Sequence, residues 1–344
     1  MKILSIDTSC DETSVAVTSG RKVLSNVIYS QILLHKKWGG VVPSIAKRAH
    51  EERIDFVVES ALQNFSRSKN LFEKIDAIAV TQGPGLAVAL EVGIKKAKEL
   101  AIKYNKKLIA VNHLEGHIYS AFVQNSKGNP KRDFKFPYLA LIVSGGHTEF
   151  VIFKDHLEYE IIGSTLDDAG GEALDKAAKL LGLGYPGGPV LERLAREVDN
   201  IDSHNFPRPM LKSKDLNFSF SGLKTSFYYF LKNNPDQTSN IKLLASSFQE
   251  AVFDTLIKKT EKAIKLTTIN QLIVVGGVVA NLRLRKLMRD LVKKYNGEVL
   301  FPTYKYLTGD NAAMIGVVAG YKGQKNKFVK NIDELDRIPR MGFT

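Results

Sequence analysis

The stretch KILSIDTSCDETSVAVT fills residues 2–18. Residues 2–7 read as a short buried strand that ends on the carboxylate of Asp7. A polar turn follows over 8–13, and residues 14–18 alternate as a second strand. The same order returns at residues 138–154, YLALIVSGGHTEFVIFK. There the strand LALIV meets a small polar turn, Ser144-Gly145-Gly146-His147-Thr148, and residues 150–153 leave it as the next strand. Strand, polar turn, strand, once in each half, predicts an internal duplication.

The pattern extends outward from both turns. Residues 77–81 form a buried strand leading into Gln82-Gly83-Pro84-Gly85, with a helix through Leu100. Residues 107–111 give another short strand that closes at Asn112. The second half repeats strand, glycines, helix: residues 271–275, Gly276-Gly277, then a helix from about Asn281 to Lys294. Strands alternating with helices predict an α/β architecture. The polar stretch 124–135 is the best boundary signal. Residues 202–219, with Pro207 and Pro209, carry little periodicity; a surface loop and a functional loop explain them equally well. A last helix, about 311–322, is expected to return to the first lobe.

The bulk numbers bound the answer. The chain has 344 residues, 44% of them hydrophobic and 25% charged, enough for two lobes with buried cores. The formal net charge is +13. That balance suits a polyanion such as nucleic acid, and general lysine enrichment explains it as well. Basic stretches lie at 95–107, 127–135, 258–265 and 283–294, and two of them fall on expected helices, where a solvated face is the ordinary explanation. The single cysteine, Cys10, excludes a disulfide within the chain and favours a cytoplasmic setting. No apolar run reaches the roughly 20 residues a membrane helix needs, so no membrane association is expected.

The sharpest local signal is Asn112-His113-Leu114-Glu115-Gly116-His117. Histidines at i and i+4 share one helix face, so both imidazoles can reach one cation. A zincin protease needs glutamate directly after the first histidine. Leu114 stands there, which removes that reading. Alone, the pair is more often coincidence than a metal site. Asp310, in Thr308-Gly309-Asp310-Asn311, is the best third ligand, because a helix start after a loop can project its side chain. The same position also suits a plain N-cap aspartate. Two histidines and one carboxylate leave coordination positions open.

Other motifs are compatible with anions. The Ser144–Thr148 turn gathers backbone amides and hydroxyls that can cradle a phosphate or carboxylate, and Thr8-Ser9 could do the same. A tight hairpin needs the same glycines. Gly276-Gly277 fits close ligand approach or close helix packing. No Walker A sequence or GxGxxG fingerprint is present. Carboxylates gather at Asp11-Glu12 and at Asp167, Asp168, Glu172 and Asp175. Asp168, Glu172 and Asp175 are expected on one helix face, most simply as a solvated one. The loop LGLGYPGGP that follows is costly in chain entropy unless it shapes something.

Taken in order, DTSCDETSVAV, GGVVPSIAKRAH, QGPGL, NHLEGH, IVSGGHTE, DDAGGEALDKAAKLLGLGYPGGP, FSFSGLKT, GGVVANLRLR and TGDNAAM resemble the TsaD/YgjD family of tRNA threonylcarbamoyladenosine synthesis, once called glycoproteases. They run from residue 7 to residue 314. The resemblance implies an actin/Hsp70/sugar-kinase-like (ASKHA) fold with two duplicated RNase H-like lobes around a central cleft. The expected lobes are 1–130 plus 308–344, carrying the metal ligands, and 131–307, carrying the donor site. The implied reaction moves a threonylcarbamoyl group from threonylcarbamoyl-AMP to the exocyclic amine of the adenosine 3′ of the anticodon, in tRNAs reading codons that begin with A.

By the same resemblance, His113, His117 and Asp310 hold a divalent ion, iron favoured and zinc possible. Ile142, Val143, Ser144, Gly145 and Gly146 line the donor site, and Asp175, Gly188, Glu192 and Asn281 match other substrate contacts. Asp11 or Glu12 is the candidate proton acceptor. Implied partners are tRNA, a TsaB-like paralogue and a TsaE-like ATPase, with donor supplied by a TsaC/Sua-type synthase. Relatives from archaea and eukaryotes have a metal-reaching tyrosine where this chain has Ile142, and asparagine where it has His147. Both differences fit a bacterial or organellar type. Ser44-Ile45 replaces the family's acidic-plus-leucine pair. A competing class is an ATPase or small-molecule kinase of the same fold, with Asp7 as its carboxylate; the histidine pair has no task in that scheme. A non-catalytic scaffold is the third class.

Overall fold

The computed structural model describes residues 1–68, 70–234 and 240–343. It divides into two compact units, Met1–Phe134 with Pro302–Thr344 and Lys135–Phe301.

The first unit begins with β1 (Lys2–Asp7), β2 (Glu12–Ser19) and β3 (Lys22–Ser30). A short α1 (Ile32–His35) and a long α2 (Pro43–Phe65) follow. Then come β4 (Ala77–Gly83), α3 (Ala87–Lys103), β5 (Lys107–Asn112) and α4 (His113–Ser120). The sheet order is β3-β2-β1-β4-β5. β1 pairs antiparallel with β2 and parallel with β4, so it forms the middle of the sheet. Every residue of β1 after Lys2 is buried. Burial of successive residues, including Ser5, marks a strand covered on both faces. Leu4, Ile6, Val15 and Val17 share one core with Ile54, Val57 and Val58 of α2 and with Val92, Ile94 and Ala97 of α3. Pro43 opens α2 at a position whose N–H has no partner inside the helix.

The second unit holds β6 (Tyr138–Val143), β7 (Thr148–Asp155), β8 (Glu158–Ser164), α5 (Gly170–Leu180) and α6 (Gly188–Arg196). It continues with α7 (Ser221–Asn233), α8 (Ile241–Thr267), β9 (Gln271–Val275), α9 (Leu282–Lys293) and β10 (Glu298–Leu300). Its order is β10-β9-β6-β7-β8, with β6 antiparallel to β7 and parallel to β9. Strand for strand this repeats the first sheet. The duplication expected from the two polar turns is therefore present as topology, and the fold is the α/β, doubled actin-like class.

Residues 202–219 are not an ordinary surface loop. Phe206, Leu216 and Phe218 are buried in the core of the second unit. Arg208 pairs with Asp202 and Asp254, and the Phe218 N–H donates to the Ser164 carbonyl at 3.0 Å.

The last helix, α10 (Ala312–Gln324), returns to the first unit and packs on β1 and β2. Ser5 Oγ donates to the Ala312 carbonyl at 2.6 Å. Beyond α10 the chain runs back along β5 and β4. The Val329 N–H donates to the Leu108 carbonyl at 2.8 Å, and the Ile338 N–H to the Gln82 carbonyl at 2.9 Å. A Cβ added at Gly83 would lie 1.9 Å from the Ile338 carbonyl oxygen, so this approach requires glycine. Among the described residues, no helix is long and apolar enough to cross a membrane.

Candidate metal centre

α4 starts where β5 ends, and Asn112 makes the junction. Its side-chain oxygen accepts from the N–H groups of Leu114 (2.8 Å) and Glu115 (3.4 Å), which caps the helix. Its amide nitrogen donates to the Gly342 carbonyl at 2.8 Å, tying the helix start to the returning tail. The capped helix then presents His113 and His117 on one face. Their rings meet edge to face at 4.6 Å.

Asp310 comes from the far end of the chain. The structure gives the N-cap of α10 to Asn311, whose side chain accepts from the Met314 N–H at 3.1 Å. The Asp310 carboxylate is thereby released from capping and turns toward the histidines. Its Oδ1 lies 3.3 Å from His113 Nε2 and 3.4 Å from His117 Nε2. One ligand atom from each of the three residues falls within 4.8 Å of the others.

Asp7, at the end of β1, stands behind this cluster with Oδ2 3.7 Å from His113 Nδ1. Ser9 bridges the two carboxylates. Its N–H donates to Asp7 Oδ1 (3.1 Å) and its hydroxyl to Asp310 Oδ2 (3.4 Å). The turn is held from below by the β4–α3 loop. The Leu86 N–H donates to the Ser9 carbonyl at 2.8 Å, and Thr8 Oγ1 to the Ala89 carbonyl at 2.8 Å. A Cβ at Gly85 would sit 2.5 Å from the Ser9 carbonyl oxygen. The Gln-Gly-Pro-Gly motif is thus the seat of the acidic turn.

The electrostatics are those of buried carboxylates facing buried imidazoles. Burial alone would depress the His113 imidazole, yet Asp310 and then Asp7 attract its proton and push it up to about 9. Burial, with the neighbouring His113 charge, keeps His117 below the usual histidine range despite Asp310. Burial would raise Asp310, but the two histidines hold it well below the ordinary carboxylate range. Burial raises Asp7. Both ring nitrogens of His117, Nδ1 of His113 and Oδ2 of Asp7 are buried without a hydrogen-bond partner. Each such group costs about 1–3 kcal/mol. His113, His117 and Asp310 could together hold a metal ion, and their donors, imidazole and carboxylate, suit iron and zinc alike.

Asp11 is buried and Glu12 half-buried in the same turn. Burial first, then the Asp11 charge, pushes the Glu12 carboxyl well above its usual range. Burial also raises the Cys10 thiol, which keeps it protonated.

The donor-site candidates all fall in the second unit. Ile142 and Val143 are fully buried in β6, so they set the backbone of the turn rather than its surface. Ser144 Oγ accepts from the N–H groups of Gly146 (3.3 Å) and His147 (3.0 Å). Gly145 and Gly146 are exposed, with open space where a Cβ would point. The turn rests on α5 through the Gly171 N–H, which donates to the Ser144 carbonyl at 3.1 Å. Gly276 packs against β6, where a Cβ would meet the Val143 carbonyl oxygen at 2.3 Å. Asp175 Oδ1 accepts from the N–H groups of Gly187 (2.8 Å) and Gly188 (3.1 Å), which shapes the glycine–proline loop. Glu192 Oε1 accepts from the Leu282 N–H at 2.7 Å. Asn281 caps α9 and donates to Gln249 Oε1 at 2.9 Å. Asp175 therefore fixes the glycine–proline loop, and Glu192 and Asn281 fix the start of α9.

One sequence expectation is corrected. α5 begins at Gly170, so Asp168 lies outside the helix and does not share a face with Glu172 and Asp175. It pairs instead with Lys176 (2.9 Å) and Lys224 (2.7 Å). Asp167 accepts from the Ser219 hydroxyl, the Phe220 N–H and the N–H and hydroxyl of Ser221, tying the segment before α5 to the start of α7. The sequence reading overlooked Asn112, Asn311 and Ser9 as organisers of the cluster. Asparagine just before a helix was the available signal for the first two.

The family model described as tRNA N6-adenosine threonylcarbamoyltransferase, TsaD, matches residues 22–317. Relatives bearing that name include one from Kosmotoga olearia, 47% identical over 95% of this chain and 95% of its own. Another, from Phytoplasma australiense, is 48% identical over 95% of this chain and 94% of its own. Among solved structures, full-length HypF in a phosphate- and nucleotide-bound form is similar, with a TM-score of 0.61 at 14% identity. That match covers 95% of this chain and 56% of HypF, and it speaks to the fold alone.

Proposed function

The chain belongs to the tRNA N6-adenosine threonylcarbamoyltransferase family, and we propose that it carries out that transfer with His113, His117 and Asp310 as ligands of one divalent ion, iron or zinc. It is a transferase that modifies the N6 position of adenosine in tRNA. The donor in this reading is threonylcarbamoyl-AMP. The target is the adenosine 3′ of the anticodon in tRNAs reading codons that begin with A. The approach of one ligand atom from each of His113, His117 and Asp310 to within 4.8 Å of the others is the observation that carries the metal assignment.

In the reaction the adenine amine attacks the carbamoyl carbon, and a new C–N bond forms. The bond from that carbon to the phosphate oxygen breaks, and AMP leaves with the bonding pair. The amine proton must go to a base. An adenine amine is a weak nucleophile and the mixed anhydride a good leaving group, so alignment is the main task. An ion on His113, His117 and Asp310 would supply polarisation of a substrate oxygen. Asp7 and Ser9 hold the ligands in orientation from behind. The turn Ile142-Val143-Ser144-Gly145-Gly146 lies against the donor's charged portion, with its backbone turned to open space at the glycines. Gly188 presents the loop built by Asp175, and Glu192 and Asn281 fix the start of α9. Asp11 or Glu12, in the turn after β1, would accept the amine proton. The target base leaves its stack to react.

Partners in this reading are a TsaB-like paralogue and a TsaE-like ATPase, with donor supplied by a TsaC/Sua-type synthase, in the cytoplasm. A kinase or ATPase on the same fold leaves the histidine pair without a role. The test combines the protein with such partners, threonine, bicarbonate, ATP and unmodified tRNA. Mass spectrometry of the nucleosides should detect threonylcarbamoyladenosine. Its absence at several salt concentrations, with every partner shown active, would overturn the reading.

A further inference from the structure

From Thr13 to His50 the chain contains no aspartate or glutamate, while Arg21, Lys22, Lys36, Lys37, Lys47 and Arg48 lie within it. The middle of that stretch, around α1, is pinned from inside by polar side chains. Gln31 and His35 are both fully buried. The Gln31 N–H donates to the Asp11 carbonyl at 2.9 Å, and Gln31 Oε1 lies 3.1 Å from His35 Nε2. The Val42 N–H closes the loop by donating to His35 Nδ1 at 3.3 Å. The outer face of this clamp is apolar and basic. Leu33 is 82% exposed, and Trp38, the only tryptophan of the chain, is 54% exposed. Lys36 and Lys37 are exposed beside it, and Lys37 Nζ lies 5.3 Å from the centre of the Trp38 ring. Lys47 and Arg48 are balanced by Glu51, Glu91 and Glu52, whereas no ion pair holds Lys36 or Lys37 among the described residues.

Large aromatic surface left in water is unfavourable, and here buried polar groups hold it outward beside lysines with no ion-pair partner among the described residues. An aromatic face beside lysines without counter-charge fits a base and its phosphates. The clamp is joined through Asp11 to the same turn whose Ser9 meets Asp310. We infer that the segment from Gln31 to Val42 is a platform for the anticodon loop of the tRNA, with Trp38 stacking an unpaired base and Lys36 and Lys37 meeting the phosphates. This inference rests on the reading that the chain acts on tRNA.

Because Trp38 is the only tryptophan, its fluorescence reports on this surface alone. Titration of the full chain with an unmodified anticodon stem-loop should quench it saturably. A Lys36→Glu/Lys37→Glu pair should weaken that binding at least about tenfold and lower the salt slope by about two. Trp38→Ala should raise the KM for tRNA about tenfold while the KM for the donor stays put, and Trp38→Phe should restore most of the loss. Transfer with an unaltered tRNA KM in both the alanine and the double-lysine variants would overturn the platform while leaving the transferase reading intact. Quenching by a partner protein and not by RNA would overturn it in favour of a protein-docking surface. Absence of transfer by the parent chain with active partners is the failure of the underlying reading instead.

Discussion

The two polar turns occupy the same place in two sheets of the same topology, yet they are built in opposite ways. The turn after β1 is buried and acidic. It is seated on the β4–α3 loop so closely that Gly85 cannot carry a Cβ. The turn after β6 is exposed and uncharged, and its glycines face open space. Duplication supplied a scaffold that aims a turn beyond the end of a central strand. Chemistry then followed from how each turn is supported. Carboxylates held in a dry seat suit a cation, and open backbone suits an anion.

The hardest way to break this contrast is to remove the cation ligand. His117→Ala should reduce transfer by at least on the order of a hundredfold, since even residues that only support a ligand cost tenfold or more. Elemental analysis should show the metal content falling with it. Metal retained at full stoichiometry would mean that the cluster beside the acidic turn is not the cation site.

The seat itself comes next. Gly85→Ala and Gly276→Ala each force a Cβ onto a backbone carbonyl, and Gly276 also holds φ at +98°. Each should cost about 2–4 kcal/mol in chemical denaturation. Gly145→Ala meets no atom and should cost less than about 1 kcal/mol. If Gly145→Ala proved as destabilising as Gly85→Ala, the open turn would be a structural element like the buried one.

Activity then separates the same residues. Gly145→Ala should raise the KM for the donor by roughly tenfold, by crowding the backbone that meets it. An unchanged donor KM would move the anion elsewhere.

The smallest effect is in acid. Burial would raise Asp168, but Lys224 and Lys176 hold its carboxyl below the usual range. The folded protein therefore keeps this group ionised at lower pH than the unfolded chain, whose carboxyl titrates near about 3.9. Its stabilising contribution is present above that value and is lost as pH falls through the depressed folded value. The stability difference between the parent chain and Lys224→Gln should be present at neutral pH and shrink below about pH 4 in urea melts. A difference that stays constant into acid would assign the effect to packing.

The sequence showed the central strands because each is buried on both faces and reads as a short, mostly apolar run between polar turns. It showed the histidines because helical spacing brings residues four apart together. It did not show β3, which is half-exposed and carries Ser25, Asn26 and Ser30 among its apolar residues. Nor did it show the returning tail. That segment docks by backbone bonds such as Ile338 to Gln82, which leave no side-chain period to read. Asp310 was legible as a residue near a helix start, but only the cap made by Asn311 explains why its carboxylate is released. Asp168 was misplaced because the spacing to Glu172 is helical while the backbone before Gly170 is not.

The first unit is closed by residues that follow the whole of the second in the chain. During synthesis the histidines of α4 therefore emerge long before Asp310, and α10 reaches β1 only after residues 135–301 have left the ribosome. The second unit can fold while the first still lacks its last helix. The His113–His117–Asp310 cluster is then the last element to be assembled, so a nascent or truncated chain holds only two of its three residues.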